Sequence, residues 1–400
     1  MLTTAIIAVE AGVKLRSRNF AESPNTLNIF LTKLCNLKCK YCFVDKYAPG
    51  RENLSISFLK KGIRTFLKLP AQTKTISFIG GEPLLKFGKI KKACQLINLS
   101  KKTNSQFIVT TTSNGTLFTK NKYNFFKKNG VILRCSIDGT QYTHDQNRPF
   151  IRKKSGSSYK KIISNIQSLR LSKAERKEYK INVELVFTPK NISSLIKNIK
   201  HLWKIGFGYI DFFPDLYAVW SKTELQTLKK EFVSFSNFYI EVFSKNSSED
   251  SVFENSLLHT FAKKAELYKP LTCSKVHLDW HGNFFCCDKI FSIPFHFRKK
   301  FLIGNVKDGI NNQLRLKILK DLRKEIKKTT GVDCLECRFV KYCFCSIGHY
   351  IYFSAHKMDF KTYFPQFCRI SQIYVMNFLK ILKVLNTNPL FSKIYYNKFS

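Results

Sequence analysis

No uninterrupted apolar run in this chain reaches the ~18 residues that a membrane span needs, although 44% of its 400 residues are hydrophobic. The apolar stretch Met1 to Val13 has no basic segment before it, which excludes a secretory signal. Internal repeats and low-complexity linkers are missing too, and the apolar content excludes disorder as the main theme. Acidic side chains are scarce: 27 Asp and Glu face 68 Lys and Arg, a formal net charge of +41. Helix-turn-helix, zinc-finger and RNA-binding signatures are nevertheless absent, so neither nucleic acid nor membrane is the expected partner. The basic excess is mostly Lys, scattered among Asn, Ile, Phe and Tyr. Two explanations stand side by side: the codon bias of an AT-rich genome, or a need for acidic partners such as a leader peptide or a small electron carrier.

Cysteine, by contrast, is plentiful. Thirteen of them in a chain of this size without a signal place the protein in a reducing cytoplasm, where clustered thiols serve as metal ligands rather than disulfides. Cys35, Cys39 and Cys42 fall within eight residues, and eight more lie between Cys273 and Cys368. Cys94 and Cys135 stand apart in a helix and a strand and read as buried apolar residues.

Between the two groups, β-rich runs alternate with helical periods. Strands are expected at Leu27 to Thr32, Thr75 to Ile79, Phe107 to Thr112, Val131 to Ile137, Ile181 to Thr188 and Tyr209 to Phe213. Helices separate them at Ser57 to Leu69, Lys86 to Leu99, Lys120 to Lys128, Tyr159 to Arg170 and Ser193 to Lys204. The fold class is therefore α/β, a partial (β/α)6 barrel of TIM type with its chemistry at the strand ends, followed by a cysteine-rich C-terminal domain. A helix over Thr223 to Val242, with Leu225, Leu228, Phe232, Phe235, Phe238 and Tyr239 on one stripe, covers the barrel. Helical periods then fade until Asn312 to Lys327. Gln366 to Leu385 reads as an apolar helix packed on the body, with membrane-surface binding as its alternative. The divisions that follow are an N-terminal extension 1–22, the barrel 23–245, a connecting segment 246–272, the cysteine-rich domain 273–370 and a helix and tail 371–400. About 25 residues before the first strand are too few for a separate leader-binding domain.

Cys35, Cys39 and Cys42 put three thiols in the loop after the first strand, whereas a structural zinc site wants four ligands and no fourth lies near. Three thiolates suit three irons of a [4Fe-4S] cluster, with the fourth iron open to a small molecule. Tyr41 precedes the last of these cysteines, and Gly80-Gly81-Glu82-Pro83 follows the second strand. The third strand ends in Thr112-Ser113-Asn114-Gly115, the fourth in Ser136-Ile137-Asp138-Gly139, and His144-Asp145-Gln146-Asn147-Arg148 comes next. Each segment alone is ordinary turn chemistry, and His144 reads as structural. Together, at successive strand ends, they resemble the motifs of the radical S-adenosylmethionine (SAM) enzymes. That resemblance implies a [4Fe-4S] cluster on Cys35, Cys39 and Cys42 with SAM on its open iron. It places the SAM amino group at Gly80, Gly81, Glu82 and Pro83, and the ribose or carboxylate at Ser113 and Arg148. Asn114 and Asp138 belong to the same cofactor-binding motifs, and the backbone near Tyr41 and Val186 would flank the adenine.

The distal cysteines run Cys273, Cys286, Cys287, Cys334, Cys337, Cys343, Cys345 and Cys368, with Gly282 five residues before Cys287. This pattern resembles the SPASM domain of peptide-modifying radical SAM enzymes, which implies two auxiliary [4Fe-4S] clusters. By that analogy Cys334, Cys337, Cys343 and Cys368 ligate one, and Cys273, Cys287 and Cys345 belong to the other, with Cys286 a candidate fourth ligand. The spacing of Cys343 and Cys345 departs from the family's C-x3-C, Ile347 standing where a cysteine is expected. The competing reading is a zinc ribbon on Cys334, Cys337, Cys343 and Cys345, with His277, His281 and His349 nearby.

The activity so implied is a maturase that reductively cleaves SAM to a 5'-deoxyadenosyl radical and abstracts hydrogen from a residue of a ribosomally made peptide or protein, to crosslink or oxidise it. A flavodoxin or ferredoxin-type donor would supply the electron. The alternative within the family is an anaerobic sulfatase maturase that forms formylglycine. In its favour, Asp288 directly follows Cys287, where those enzymes carry a catalytic base; against it, Ile79 stands where they usually have Gln. The alternative of another class is a non-catalytic iron-sulfur or zinc protein that binds nucleic acid through its basic surface.

Overall fold

The structure, a computed structural model, describes residues 23–44, 52–71, 73–100, 106–171, 175, 181–262, 273–340, 342–344 and 346–397. The expected extension 1–22 and the candidate ligand Cys345 lie outside the described residues.

Seven parallel strands make the frame: β1 (Thr26–Phe30), β2 (Thr73–Ile79), β3 (Gln106–Ser113), β4 (Val131–Ser136), β5 (Ile181–Phe187), β6 (Ile210–Pro214) and β7 (Lys275–Leu278). Their order is β7-β1-β2-β3-β4-β5-β6, and β8 (Asn283–Phe285), β9 (Leu302–Asn305) and β10 (Gly309–Ile310) extend the sheet antiparallel beyond β7. The first six strands fall within two residues of the positions that the alternation predicts. β7 was not among them, because four residues carry no readable period. It joins β1 in parallel, Asn28 opposite His277, so the cysteine-rich region and the barrel share one continuous sheet.

The helices follow local signals. α1 (Ile56–Leu67) starts where the Ser55 hydroxyl accepts a hydrogen bond from Phe58 N at 3.0 Å. α2 (Phe87–Ser100) and α3 (Lys120–Asn129) come next, and α3 stops at Gly130, whose φ of 63° is the left-handed stop that lets β4 begin one residue later. A short α4 (Gln141–Asn147) was missed by periodicity, since its seven residues carry motif side chains rather than an apolar stripe. α5 (Ser158–Ser168) and α6 (Leu195–Lys204) complete the crossovers.

α7 (Lys222–Lys245) opens with a capping box in which Ser221 and Glu224 satisfy each other's backbone N–H groups at 3.2 and 2.7 Å. α8 (Ser256–Ala262), α9 (Phe295–Arg298), α10 (Asn312–Thr330), α11 (Ser346–Ala355), α12 (Phe360–Leu385) and α13 (Pro389–Ser392) follow. α12 begins six residues earlier than the apolar pattern suggests and takes Cys368 into its third turn. Its Tyr374 and Phe378 enter an aromatic core with Phe212 of β6 and Phe232 and Phe235 of α7, all fully or nearly fully buried. The Tyr374 hydroxyl donates to Phe212 O at 2.6 Å. At ~2–3 kcal/mol per buried aromatic side chain, this face belongs to the protein core, which removes the membrane-surface reading of the helix. Among the described residues no helix is long and apolar enough to cross a membrane.

Candidate active site

Four of the five motif segments sit at the carboxyl ends of parallel strands, the fifth (His144 to Arg148) lies on α4, and short contacts tie neighbouring ends together. Gly81 N donates to Thr32 O at 2.8 Å and Glu82 N to Leu34 O at 2.7 Å, which fastens the end of β2 to the loop that carries Cys35. A Cβ on Gly81 would stand 2.2 Å from Leu34 O and 2.5 Å from Lys33 O, both backbone atoms that have nowhere to move. Overpacking of this kind costs ~1–3 kcal/mol. Gly81→Ala is therefore expected to lower the melting temperature by a few degrees in a thermal melt followed by circular dichroism; an unchanged melt would mean that the two strand ends are not locked together.

Glu82 is fully buried and accepts hydrogen bonds from Leu84 N at 2.9 Å, the Ser113 hydroxyl at 2.7 Å and Asn114 N at 2.8 Å. Burial raises its pKa, and these three donors oppose the rise. The Ser113 hydroxyl also accepts from Gly115 N at 3.1 Å, so it is engaged inside the strand end. Asn114 reaches the cluster loop: its Nδ2 donates to Asn36 Oδ1 at 2.8 Å and lies 3.8 Å from Cys35 Sγ. Asn36, which the sequence reading passed over, returns a bond to Thr116 Oγ1 at 2.8 Å.

Asp138 is the second buried carboxylate. Its Oδ1 accepts from Arg148 Nη2 and from Val186 N, both at 3.0 Å, and its Oδ2 from Asn147 Nδ2 at 3.0 Å and from the Tyr41 hydroxyl. Burial alone would raise its pKa, but Arg148, His144 and the hydrogen bonds outweigh it and hold the group below the usual carboxylate range. The Arg148 guanidinium lies over the Tyr41 ring, 5.1 Å from its centre, and its Nε has no hydrogen-bond partner in its buried position. His144 Nδ1 accepts from Asp138 N at 3.2 Å, and burial lowers its pKa to about 4. That suits a neutral structural role. Tyr41, Asp138, Arg148 and Val186 thus form one hydrogen-bonded group.

Among the described residues no three His, Cys, Asp or Glu side chains are drawn together tightly enough to hold a single metal ion. The cysteines nevertheless group. Cys35 is acted on by Cys39 and Cys42, and burial pushes the Cys35 thiol up to about 12 and the Cys39 thiol up to about 11. Thiols so placed ionise only against a cation, which is the chemistry of iron ligation. Together with the buried Arg148 Nε, this donor set fits a cluster with a bound small molecule. Cys368 is likewise raised to about 12 by burial and is acted on by Cys343, Cys334 and Cys337, so those four share one neighbourhood. Cys286 is fully buried and Cys287 nearly so; Cys94 and Cys135 are buried apolar residues, as expected. Of the nearby histidines, His277 and His349 are buried and His281 stands 3.6 Å from Glu52.

A cavity of about 190 Å³ lies beside the cluster loop, lined by Tyr41, Cys42 and Phe43 together with Asp215, Tyr217 and Tyr352. Lys289 packs against two of these lining rings and pairs with Asp288. Lys289 Nζ is 3.6 Å from Asp288 Oδ2, 4.5 Å from the centre of the Phe43 ring and 5.3 Å from that of Tyr217. Burial would raise the Asp288 pKa, but Lys289 and His277 bring it down to about 2; Lys289 is raised in turn because Asp288 and Tyr217 outweigh its desolvation. Lys289 and Tyr217 escaped the sequence reading, and the one available signal was a lysine directly after Asp288. A larger open groove of about 800 Å³ between Phe243–Glu249 and Asn388–Lys393 contains none of the motif residues.

A parallel sheet with three loop cysteines, a glycine-glycine-glutamate turn and buried acid–arginine pairing at its carboxyl edge defines a radical SAM domain. Residues 29–193 match the family model described as the Radical SAM superfamily. Residues 29–193 are thus a radical SAM domain, and the cysteine-rich region follows it. Over 224 residues it is 32% identical to the cysteine-type anaerobic sulfatase-maturating enzyme of Clostridium novyi, covering 53% of this chain and 57% of that one. The chain thus spans a little over half the length of that relative. Two solved structures share the fold. One is anSMEcpe with bound AdoMet and the Kp18Cys peptide, with a TM-score of 0.62, 20% identity and coverage of 87% of this chain and 99% of that one. The other is Streptococcus suis SuiB bound to the precursor peptide SuiA, with a TM-score of 0.53, 14% identity and coverage of 86% and 75%.

Proposed function

We propose that this enzyme is a maturase that oxidises a cysteine or serine side chain within a peptide or protein, a reading supported by its similarity to relatives named cysteine-type and serine-type anaerobic sulfatase-maturating enzymes. The observation that supports the reading is the Asp288–Lys289 pair, whose ammonium lies against Phe43 and Tyr217, two of the residues that line the cavity beside the loop of Cys35, Cys39 and Cys42. The clusters, when bound, would supply the electron that cleaves SAM and accept one from the substrate. Around them this chain's residues bind and orient. The Gly80 to Pro83 turn offers backbone to the SAM amino group, and the Asp138–Arg148 pair with Val186 fixes the far side of the cofactor. Asp288 Oδ2 takes the proton that a thiol or hydroxyl must lose when its carbon reaches the aldehyde level. Phe43, Tyr217 and Tyr352 wall the cavity against water.

The residues 273–370 are then a SPASM-type domain with two auxiliary [4Fe-4S] clusters, and clustered thiols in this number suit a reducing cytoplasm. A flavodoxin or ferredoxin is the electron donor, and an acidic leader on the substrate would match the net charge of +41. The second reading, a crosslink in a ribosomally made peptide, is favoured by Ile79 in place of the usual Gln and by the fold shared with SuiB.

Two assays test this. Under anaerobic reducing conditions wild type should form 5'-deoxyadenosine and Cys39→Ala none above background; equal yields would refute radical SAM chemistry. A cysteine-containing sulfatase peptide should be converted with loss of the thiol, read by mass. An unconverted peptide beside active SAM cleavage would shift the assignment to crosslinking.

A further inference from the structure

The loop that carries Cys35, Cys39 and Cys42 forms one side of a short antiparallel ladder. Lys38 N donates to Pro149 O at 2.8 Å, Lys40 N to Asn147 O at 2.9 Å and Ile151 N to Asn36 O at 3.1 Å, and Leu37 is bridged to Phe150. Successive residues in an extended chain point to opposite sides. Leu37 is buried and Cys39 half-buried, whereas Lys38 and Lys40 are exposed. The two lysines thus flank Cys39 on the outer side of the loop, each ~3.8 Å from it between Cα atoms. Across the ladder Ile151 is 57% exposed, and Arg152 and Lys154 beyond it are exposed too. The segments 33–44 and 146–170 hold three and seven basic side chains and no acidic one. Asp45, the first acid after the loop, lies outside the described residues. The two carboxylates that precede the second segment are turned inward. Asp138 is fully buried against Arg148, and Asp145 accepts from the Ser157 and Ser158 hydroxyls at 2.6 and 3.2 Å and from Tyr159 N at 3.0 Å.

We propose that Lys38, Lys40, Ile151, Arg152 and Lys154 form the docking surface for a small acidic protein that carries one electron to the cluster site. The assignment rests on the cluster reading of Cys35, Cys39 and Cys42 and goes beyond it by giving the carrier a place on this chain. One electron passes on contact: the carrier is oxidised by one electron and the cluster reduced by one, with no bond formed and no proton moved. Electron-transfer encounters are small, under ~1,200 Å² of buried surface, and protein interfaces join an apolar centre to a polar rim. Here Ile151 is the centre and the four cations are the rim. Position favours a carrier over other anions. Electron transfer weakens steeply with distance, so a carrier gains from standing beside a cluster ligand, whereas nucleic acid or an acidic leader gains the charge alone.

The test titrates protein reconstituted without oxygen with a purified oxidised flavodoxin and, separately, a purified oxidised ferredoxin, by calorimetry at low and high salt. It also measures 5'-deoxyadenosine formed with the reduced carrier or with dithionite as reductant. Lys40 stays unchanged in the variants because it also lines the cavity beside the cluster loop. Wild type is expected to bind at least one carrier, and less tightly as salt screens the contact. Lys38→Glu, Arg152→Glu and Lys154→Glu together should weaken that binding at least ~10-fold at low salt and slow the carrier-driven reaction by a like factor, while the dithionite-driven rate stays at the wild-type level. Ile151→Ser should weaken binding without changing its salt dependence. Wild-type carrier affinity in the triple variant overturns the inference, as does a wild type that binds neither carrier. A dithionite-driven rate that falls with the carrier-driven one overturns it in favour of residues that hold the loop. Loss of binding to duplex DNA with carrier affinity intact assigns the surface to nucleic acid instead. Wild type that forms no 5'-deoxyadenosine with dithionite removes the cluster reading and this inference with it.

Discussion

Asp138→Asn is expected to lower the stability of the folded protein by ~3–5 kcal/mol, the cost of leaving one partner of a buried ion pair uncompensated. Every contact to this carboxylate is a donor: Arg148 Nη2, Val186 N, Asn147 Nδ2 and the Tyr41 hydroxyl. Asparagine offers one acceptor oxygen and turns an NH2 group towards donors on the other side, with the Arg148 charge still buried at 6% exposure. Because the folded pKa of Asp138 lies below the ordinary carboxylate value, its stabilisation is fully present above pH ~4 and fades as pH falls through the folded value. Urea unfolding at neutral pH should show the full gap between wild type and variant, and the gap should narrow in acid. The same variant should bind SAM weakly in equilibrium dialysis, since Tyr41, Arg148 and Val186 lose their common anchor. A variant as stable as wild type at neutral pH would mean that the Asp138–Arg148 pair holds nothing together.

Much of this arrangement was legible in the sequence because its causes are local. Strand ends, glycine turns and the Cys35 to Cys42 loop each occupy a few consecutive residues, and the alternation of strand and helix fixes their order around the sheet. What escaped depends on partners far apart in the chain. β7 is too short to carry a period, and it becomes a strand because Asn28 and His277, 249 positions apart, lie opposite each other and come within 3.2 Å. The engagement of Ser113 by Glu82 was equally hidden: a hydroxyl at a strand end reads as displayed until the neighbouring strand supplies a buried carboxylate to accept its hydrogen bond. Cys286 and Cys287 are adjacent in sequence, yet only the fold shows that Cys286 is fully buried while the Cys287 Sγ lies 3.8 Å from where a Cβ on Gly348 would stand. Periodicity gave α7 and most of α12, whereas the first six residues of α12 were obscured by Pro365 and by polar residues around it.

Asp288→Ala should separate the two halves of the reaction. If its carboxylate takes the substrate proton, modified peptide should fall by ~10²–10⁴-fold, the usual worth of a general base, while 5'-deoxyadenosine still forms, because no contact of Asp288 reaches the Gly80 to Pro83 turn or the Asp138–Arg148 pair. Lys289 positions that carboxylate rather than reacting itself: its ammonium bridges Asp288 to the Phe43 and Tyr217 rings. Lys289→Met should therefore cost less than Asp288→Ala, and Lys289→Arg should recover part of the loss, since a guanidinium keeps both the charge and the ring contact. The ratio of product to 5'-deoxyadenosine, measured by mass spectrometry in single-turnover mixtures, reads the difference directly. Product and 5'-deoxyadenosine falling together in Asp288→Ala would show that the residue supports the SAM site or the fold instead. The oxidation reading would then lose the one observation in this chain that distinguishes it from crosslinking.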